Sequence, residues 1–325
     1  MCTAISFKNK DFYFGRNLDY EFSYGENIVF MPRKFNLKYS TLKNFSVHYA
    51  MMGVAHIFDN YPLFYDGFNE HGLAVAGLNF VNNAYFFKNK EDKLNVAQYE
   101  LIPFILTNYK SIDELEKDLP DLNITDTPFN DKFKPSQLHY LISDKNRCIV
   151  LEQMKDGLHI YENDTGCLTN NPPFNIQRFL LNMYQGVSNE NKESSFSKNL
   201  KLEQYSRGMG GISLPGDLSS PSRFIKVVFT KENSIVNSDD ENESVSQFFH
   251  ILNSVEQQRG CCKLDDNKYE ITIYSSCYNV DKKICYYKTY DNFQINAIKM
   301  EMDKLDTDSL ITYEMIDKMN INHQN

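Results

Sequence analysis

The second residue of the chain is a cysteine, and it heads an apolar run, Cys2-Thr3-Ala4-Ile5-Ser6-Phe7. Removal of Met1 would give Cys2 a free α-amine, so that one residue would carry both a nucleophile and a base. A thiol titrates near ~8.5 and an α-amine near ~8, both close enough to neutrality for modest tuning to supply a thiolate and a proton acceptor. A hydroxyl or thiol activated by an N-terminal amine is a known form of nucleophilic catalysis. Read without its context, Cys2 is equally an ordinary small second residue.

Other polar residues stand at the ends of apolar segments. Phe14-Gly15-Arg16-Asn17-Leu18-Asp19 closes a run that pairs with the first through a short hairpin, which returns Arg16 and Asp19 towards residue 2. There Arg16 could hold a thiolate and Asp19 could accept from the α-ammonium; the alternative is a solvated Arg–Asp pair on a turn. Asn79 ends Gly77-Leu78-Asn79-Phe80, and Asn170 stands in Leu168-Thr169-Asn170-Asn171-Pro172-Pro173. Side-chain amides so placed can donate to a developing oxyanion, or simply cap local backbone. Arg223, in Pro221-Ser222-Arg223-Phe224, opens a helix and faces either inward or solvent. The loop Arg207-Gly208-Met209-Gly210-Gly211 lacks the glycine spacing and the Lys-Ser/Thr ending of a phosphate cradle, which argues against nucleotide binding.

The elements that must position these groups follow from periodicity. Strands are expected over 2–7 and 11–16 around Lys8-Asn9-Lys10, and again over 27–31 and 49–57. Two more flank Asn69-Glu70-His71-Gly72 within 62–80, and the nearly all-apolar second one reads as buried on both faces. A helical segment over 96–107 is interrupted by Pro103, and Ser111-Ile112-Asp113-Glu114 is a capping box opening a helix to about Leu119. Strands resume over 137–143, 147–154, 158–162 and 166–170. A helix over 175–184 and an exposed polar insertion over 186–201 follow. Helical periodicity covers 222–230 and 244–257, and a β-meander covers 270–278, 283–290 and 294–300. The order of strands and helices suggests two sheets packed on each other with helices outside, a helix–sheet–sheet–helix sandwich in one domain over 1–325.

Composition narrows the partners. The 325 residues carry 43 Asp and Glu against 34 Lys and Arg, a net charge of -9. That disfavours nucleic acid and anionic membrane surfaces. No apolar run nears the ~20 residues of a membrane helix, and the start lacks a basic-then-apolar leader, so a cytoplasmic protein is expected. Seven cysteines without a C-x-x-C, and seven histidines without metal-ligand spacing, argue against a metal site. Cys148, Cys167, Cys277 and Cys285 read as buried strand residues.

Taken in order and separation, these motifs resemble the choloylglycine hydrolase family of bile salt hydrolases and penicillin V acylases. The likeness runs through Met1-Cys2-Thr3, residues 14–19, Asp66-Gly67-Phe68-Asn69-Glu70-His71-Gly72-Leu73, residues 77–80, 168–172, and Leu214-Pro215-Gly216-Asp217 to Ser222-Arg223-Phe224. It implies an α+β fold of the N-terminal nucleophile hydrolase type, a four-layer αββα sandwich of two antiparallel sheets, assembled as a homotetramer. It implies Cys2 as nucleophile, with Arg16, Asp19, Asn79, Asn170 and Arg223 as the other catalytic positions, and no metal or organic cofactor. The reaction implied is cleavage of glycine or taurine from conjugated bile salts through a Cys2 thioester. Penicillin V, or another N-acyl amide, is the alternative substrate. Asn79 resembles the bile salt branch, where the penicillin branch resembles Tyr, and Ser206-Arg207-Gly208-Met209-Gly210-Gly211 does likewise. Met and Phe residues in the loops after Asp19 and near Ile57–Phe64, and Phe129–Phe133, are candidates for a steroid pocket. Arg207 is a candidate contact for the glycine carboxylate or taurine sulfonate, which leans the expectation towards taurine conjugates. A non-catalytic binding protein and a cysteine redox or metal protein are the rival classes.

Overall fold

The computed structural model describes residues 1–42 and 48–325. One sheet is built from β1 (Cys2–Lys8), β2 (Phe12–Tyr20), β12 (Cys167–Leu168), β13 (Ile271–Asn279), β14 (Ile284–Thr289) and β15 (Asn296–Lys299), in the order β12-β1-β2-β13-β14-β15. The second contains β3 (Asn27–Met31), β4 (Met51–Phe58), β5 (Tyr61–Asn69), β6 (Ala74–Asn79), β9 (Leu138–Ser143), β10 (Cys148–Met154), β11 (Gly157–Glu162) and β16 (Ile311–Glu314), in the order β11-β10-β9-β6-β5-β4-β3-β16. All pairings within these two sheets are antiparallel.

The sheets share one apolar interior, in which Ala4, Phe14 and Tyr278 of the first meet Val54, Phe68 and Ala76 of the second. The helices α4 (Ser220–Glu232) and α5 (Glu241–Asn253) cover the outer face of the first sheet, against β1, β12, β2 and β13. The helix α1 (Leu101–Asn108) covers the other sheet, against β4, β5 and β6, over a second apolar cluster that includes Val75, Leu101 and Ile105. The layers are therefore helix, sheet, sheet, helix, as the sequence implies.

The first hairpin pairs Cys2 with Leu18 and Ala4 with Arg16, so two-residue alternation sets Cys2, Arg16 and Leu18 on one face and Thr3, Asn17 and Asp19 on the other. Gly15 is required here: a Cβ would lie 2.0 Å from the Ser276 carbonyl oxygen of β13. As expected, β6 is central in its sheet and buried on both faces along most of its length.

Three expectations need correction. The segment at 96–107 opens as a strand, not a helix: β7 (Leu94–Ala97) pairs in parallel with β8 (Leu122–Thr125). Pro103 does not interrupt the helix that follows but lies in its first turn, where its missing N–H has no intrahelical partner to lose. Ser111 does cap α2 (Ile112–Leu115) through the Glu114 N–H, yet α2 ends after one turn rather than at Leu119. The helix α3 (Phe174–Leu180) likewise gives way to a 3-10 turn over Leu181–Tyr184.

Candidate active site

Cys2 is 3% exposed at the edge where the two sheets meet. Its main-chain N–H donates to Oδ1 of Asn170 at 2.7 Å, just beyond β12. The same oxygen accepts from Nη2 of Arg223 at 2.7 Å, while Nδ2 of Asn170 donates to the Asn79 carbonyl at 2.7 Å. One amide thus ties the nucleophile, the first turn of α4 and the end of β6 together. The loop is fixed from outside as well. The Asn170 N–H donates to Oγ of Ser220 at 2.7 Å, and the Gln177 side chain donates to the Asn170 carbonyl. His139 Nε2 meets the Thr169 carbonyl at 2.8 Å, and its Nδ1 meets Glu152 Oε1 at 2.9 Å.

On the helix-facing side, Arg223 is 1% exposed because it stands in the first turn of α4, aimed at the end of β1. It donates to the Cys2 carbonyl and to Oγ1 of Thr3, both at 2.6 Å, and to the Leu218 carbonyl at 3.0 Å. Its Nη1 lies 3.9 Å from Oδ2 of Asp19. Thr272 donates to Oδ1 of Asp19 at 2.6 Å, whereas Oδ2 is buried without a hydrogen-bond partner among the described residues. A bulge makes this possible: β13 pairs Thr272 with Asp19 but Tyr274 with Leu18, so the two residues point to opposite faces.

Arg16, also 1% exposed, reaches across the inter-sheet space. Its Nη1 donates to the Gly77 carbonyl at 2.5 Å and the Tyr65 carbonyl at 3.3 Å, and Nε lies 3.8 Å from Oδ2 of Asp66. A second bulge, between the pairs Val54–Asp66 and Ala55–Phe64, leaves Tyr65 unpaired and its carbonyl free for Arg16. Cys2, Arg16, Asp19, Asn79 and Tyr65 line one cavity of about 120 Å³. Tyr20 and Tyr24 also line it, and ring contacts lead outward from Tyr24 to His56, Phe133, Phe58 and Phe129.

The amine of Met1 donates to the Asp19 carbonyl at 2.8 Å and is ion-paired with Glu270. Burial lowers its pKa from the usual 8.0, with Arg223 and Arg16 acting in the same direction and Cys2 and Asp19 opposing. Burial raises the carboxyl pKa of Asp19, against the pull of Arg223. Burial also lowers the pKa of Arg223. Arg16 is held above its ordinary value: burial acts against it, but Cys2, Tyr274, Asp66 and Asp19 outweigh that cost.

The structure therefore brings Cys2, Arg16, Asp19, Asn79, Asn170 and Arg223 together. One detail adds to the sequence reading: Asn170 also holds the main chain of Cys2, as the acceptor of its N–H. Arg207 is not brought in: it lies on an exposed segment and does not line this cavity. Thr272, Thr3, Ser220 and Asp66 were not singled out by the sequence; Asp66 and Thr3 stood inside the quoted motifs, whereas Thr272 had no signal. Among the described residues, no group of three or more His, Cys, Asp or Glu could hold a metal ion.

A cysteine at the head of a buried strand, in a sandwich of two antiparallel sheets between helices, defines a hydrolase of the N-terminal nucleophile fold. The model of the linear amide C–N hydrolases, choloylglycine hydrolase family, matches residues 2–313. A bile salt hydrolase/transferase of Lactiplantibacillus plantarum is 49% identical over 315 residues, covering 97% of each chain. One from Clostridium perfringens is 38% identical across 100% of both chains. A crystal structure of a variant of the conjugated bile acid hydrolase from Clostridium perfringens superposes with a TM-score of 0.92 at 38% identity, covering 100% of both chains. The penicillin V acylase of Agrobacterium tumefaciens shares the fold, with a TM-score of 0.75 at 18% identity over 97% of this chain and 91% of that one. The chain belongs to the choloylglycine hydrolase family and is a hydrolase of linear amide C–N bonds.

Proposed function

We propose that this protein hydrolyses the amide of glycine- and taurine-conjugated bile acids, with Cys2 as nucleophile once Met1 has been removed. The observation that carries the reading is that Cys2 shares one cavity with Arg16, Asp19 and Asn79 while its backbone nitrogen is already fixed by Asn170. The names of the relatives at 49% and 38% identity support the bile salt as substrate. So does the run of aromatic rings from Tyr20 and Tyr24 to Phe129, an apolar wall suited to a steroid that outgrows the cavity at the thiol.

In this mechanism the Cys2 amine takes the thiol proton. Removal of Met1 places this amine where the Cys2 main-chain nitrogen now donates to Oδ1 of Asn170. Oδ2 of Asp19, 3.9 Å from Arg223 Nη1 and without a hydrogen bond among the described residues, is the proposed acceptor that orients this amine. The thiolate attacks the amide carbon. Asn170 keeps one amide hydrogen beyond the one given to Asn79, and that hydrogen, with the Asn79 amide, meets the oxyanion. Arg16 and Arg223 favour the thiolate. Collapse breaks the C–N bond, the Cys2 ammonium protonates the departing amine, and water then cleaves the thioester to the free acid.

The exposed apolar side chains of α3 and the segment after it, including Phe179 at 68% and Tyr205 at 85%, support assembly of several copies, for which a homotetramer is the proposed form. Among the described residues no helix is long and apolar enough to cross a membrane; the cytoplasm is the proposed location, with residues 1–325 acting as one catalytic domain. Arg207 is exposed, without an ion pair among the described residues, and is the proposed contact for the acidic end of the conjugate. The same taurine-to-glycine rate ratio in Arg207→Ala would remove that assignment.

The test is release of glycine from glycocholate and taurine from taurocholate, with penicillin V in parallel, a Cys2→Ala control and the N-terminal mass. Cys2-dependent release from the bile salts is expected. Turnover of penicillin V alone, or of none of them with Met1 absent, would refute the substrate.

A further inference from the structure

Asp66 has no place in the mechanism above, yet it is a fully buried carboxylate beside one of its charged groups. Its Oδ2 lies 3.8 Å from Nε of Arg16 and accepts from the Tyr274 hydroxyl at 2.5 Å; its Oδ1 accepts from the Tyr278 hydroxyl. Burial raises its pKa, while Arg16 and the two hydroxyls favour the ionised form. The tyrosines are pushed well above their usual pKa, chiefly by burial, and stay protonated donors. Two hydroxyl donors and a guanidinium 3.8 Å away act on this buried carboxyl in favour of its ionised form, against burial.

The placement is made by the two bulges. Without the one after Val54, Phe64 and Asp66 would share a face; with it, Phe64 joins the cluster under α1 and Asp66 turns between the sheets. Without the one at Ile273, Tyr274 would share the face of Thr272 and would not meet Asp66. Both strands depart from regular pairing at the points that bring this carboxylate to Arg16.

We propose that Asp66, held by Tyr274 and Tyr278, is a positioning residue for Arg16: it fixes the guanidinium at the wall of the cavity and sets how much of its charge reaches the Cys2 thiol. Arg16 uses Nη1 and Nε on backbone carbonyls and Asp66, and Nη2 makes no hydrogen bond among the described residues. Asp66 draws the charge away from the cavity, and the Tyr274 hydroxyl favours the ionised form that does so. The other groups acting on this pair are Asp19 on β2, Cys285 on β14, and Cys2 itself. Arg223 and the chain's amine act on Asp19 from the far side of the sheet.

Two substitutions should move the thiol in one direction and to different extents. Asp66→Asn removes the competing charge, and Tyr274→Phe removes a hydroxyl that favours the ionised form of Asp66 while leaving the carboxyl in place. Both should therefore move the pH dependence of Cys2 alkylation to lower pH, Asp66→Asn by more. The readout is alkylation by iodoacetamide in the Met1-free enzyme, followed by mass spectrometry of the N-terminal peptide. This needs no substrate, so it fails or succeeds independently of the bile salt assignment. Loss of packing alone lowers Tm in both variants without moving that profile. An unmoved profile, or a move to higher pH in either variant, overturns the proposal; if Asp66→Asn does not fold, Tyr274→Phe decides alone.

Discussion

Replacing Asn170 by Asp separates what this residue does for the fold from what it does for the reaction. The aspartate keeps Oδ1, so the Cys2 N–H and Arg223 Nη2, each at 2.7 Å, retain their acceptor, and the Arg223 contact becomes an ion pair. What is lost is Nδ2, the donor to the Asn79 carbonyl and the proposed donor to the oxyanion. Loss of one oxyanion donor costs about 10²–10³ in kcat, or ~2.7–4 kcal/mol. A carboxylate beside the oxyanion adds repulsion of about 5 kcal/mol at 3 Å and an effective dielectric of 20, part of which Arg223 offsets. The expected fall in kcat is therefore at least about 10³, with the protein still folded. Acid should not rescue it: a protonated aspartate has one hydrogen, which the Asn79 carbonyl takes, where the amide has two. The assay is kcat for taurocholate from pH 4 to 8, with circular dichroism as the check on folding. A variant that keeps a tenth or more of the wild-type kcat would refute the role given to Nδ2.

Glu70 accepts from Nε of Arg33 at 3.0 Å and from the Ala50 N–H at 2.8 Å, and its pKa is lowered: burial works against this, but Arg33 and Ala50 prevail. Its contribution to stability is present above its usual 4.5 and lost as pH falls through the lowered value, so Glu70→Gln should be less stable than wild type at pH 7 and the gap in Tm should close in acid. Glu152→Leu leaves the Phe174 N–H and His139 Nδ1 without their shared acceptor, at about 1–3 kcal/mol for each orphaned group, read as a fall in the urea midpoint. Gly15→Ala forces β2 from β13 at Ser276, and soluble yield should collapse relative to a Gly186→Ala control, whose exposed site is open.

Asn79 and Asn170 are visible in the sequence because each closes an apolar run, at or just beyond the end of a strand. Cys2 heads β1, while Arg16 and Asp19 lie inside β2, which runs on past the expected end at residue 16; the hairpin places these three by local pairing alone. Arg223 was ambiguous because a helix face reads as buried or solvated only once its partner strand is known. What periodicity misreads is the bulged strands. A period of two puts Thr272 with Tyr274, and Phe64 with Asp66, on common faces, and the structure puts each pair on opposite ones. The short strands β8 and β16 carry four residues each, too few for a pattern. Arg207 is a different case: a resemblance marks the residue, while its place in the fold depends on an exposed segment that local sequence does not fix.

Arg16 and Asn170 each bridge the two sheets, from β2 to the Gly77 carbonyl and from the end of β12 to the Asn79 carbonyl. The site is thus a seam, and it exists only while the sandwich is closed. Heat that parts the sheets abolishes the reaction at the same step that abolishes the fold. Residual turnover on warming should therefore trace the same curve as the near-ultraviolet signal of the buried tyrosines, with no folded but inactive stage between them.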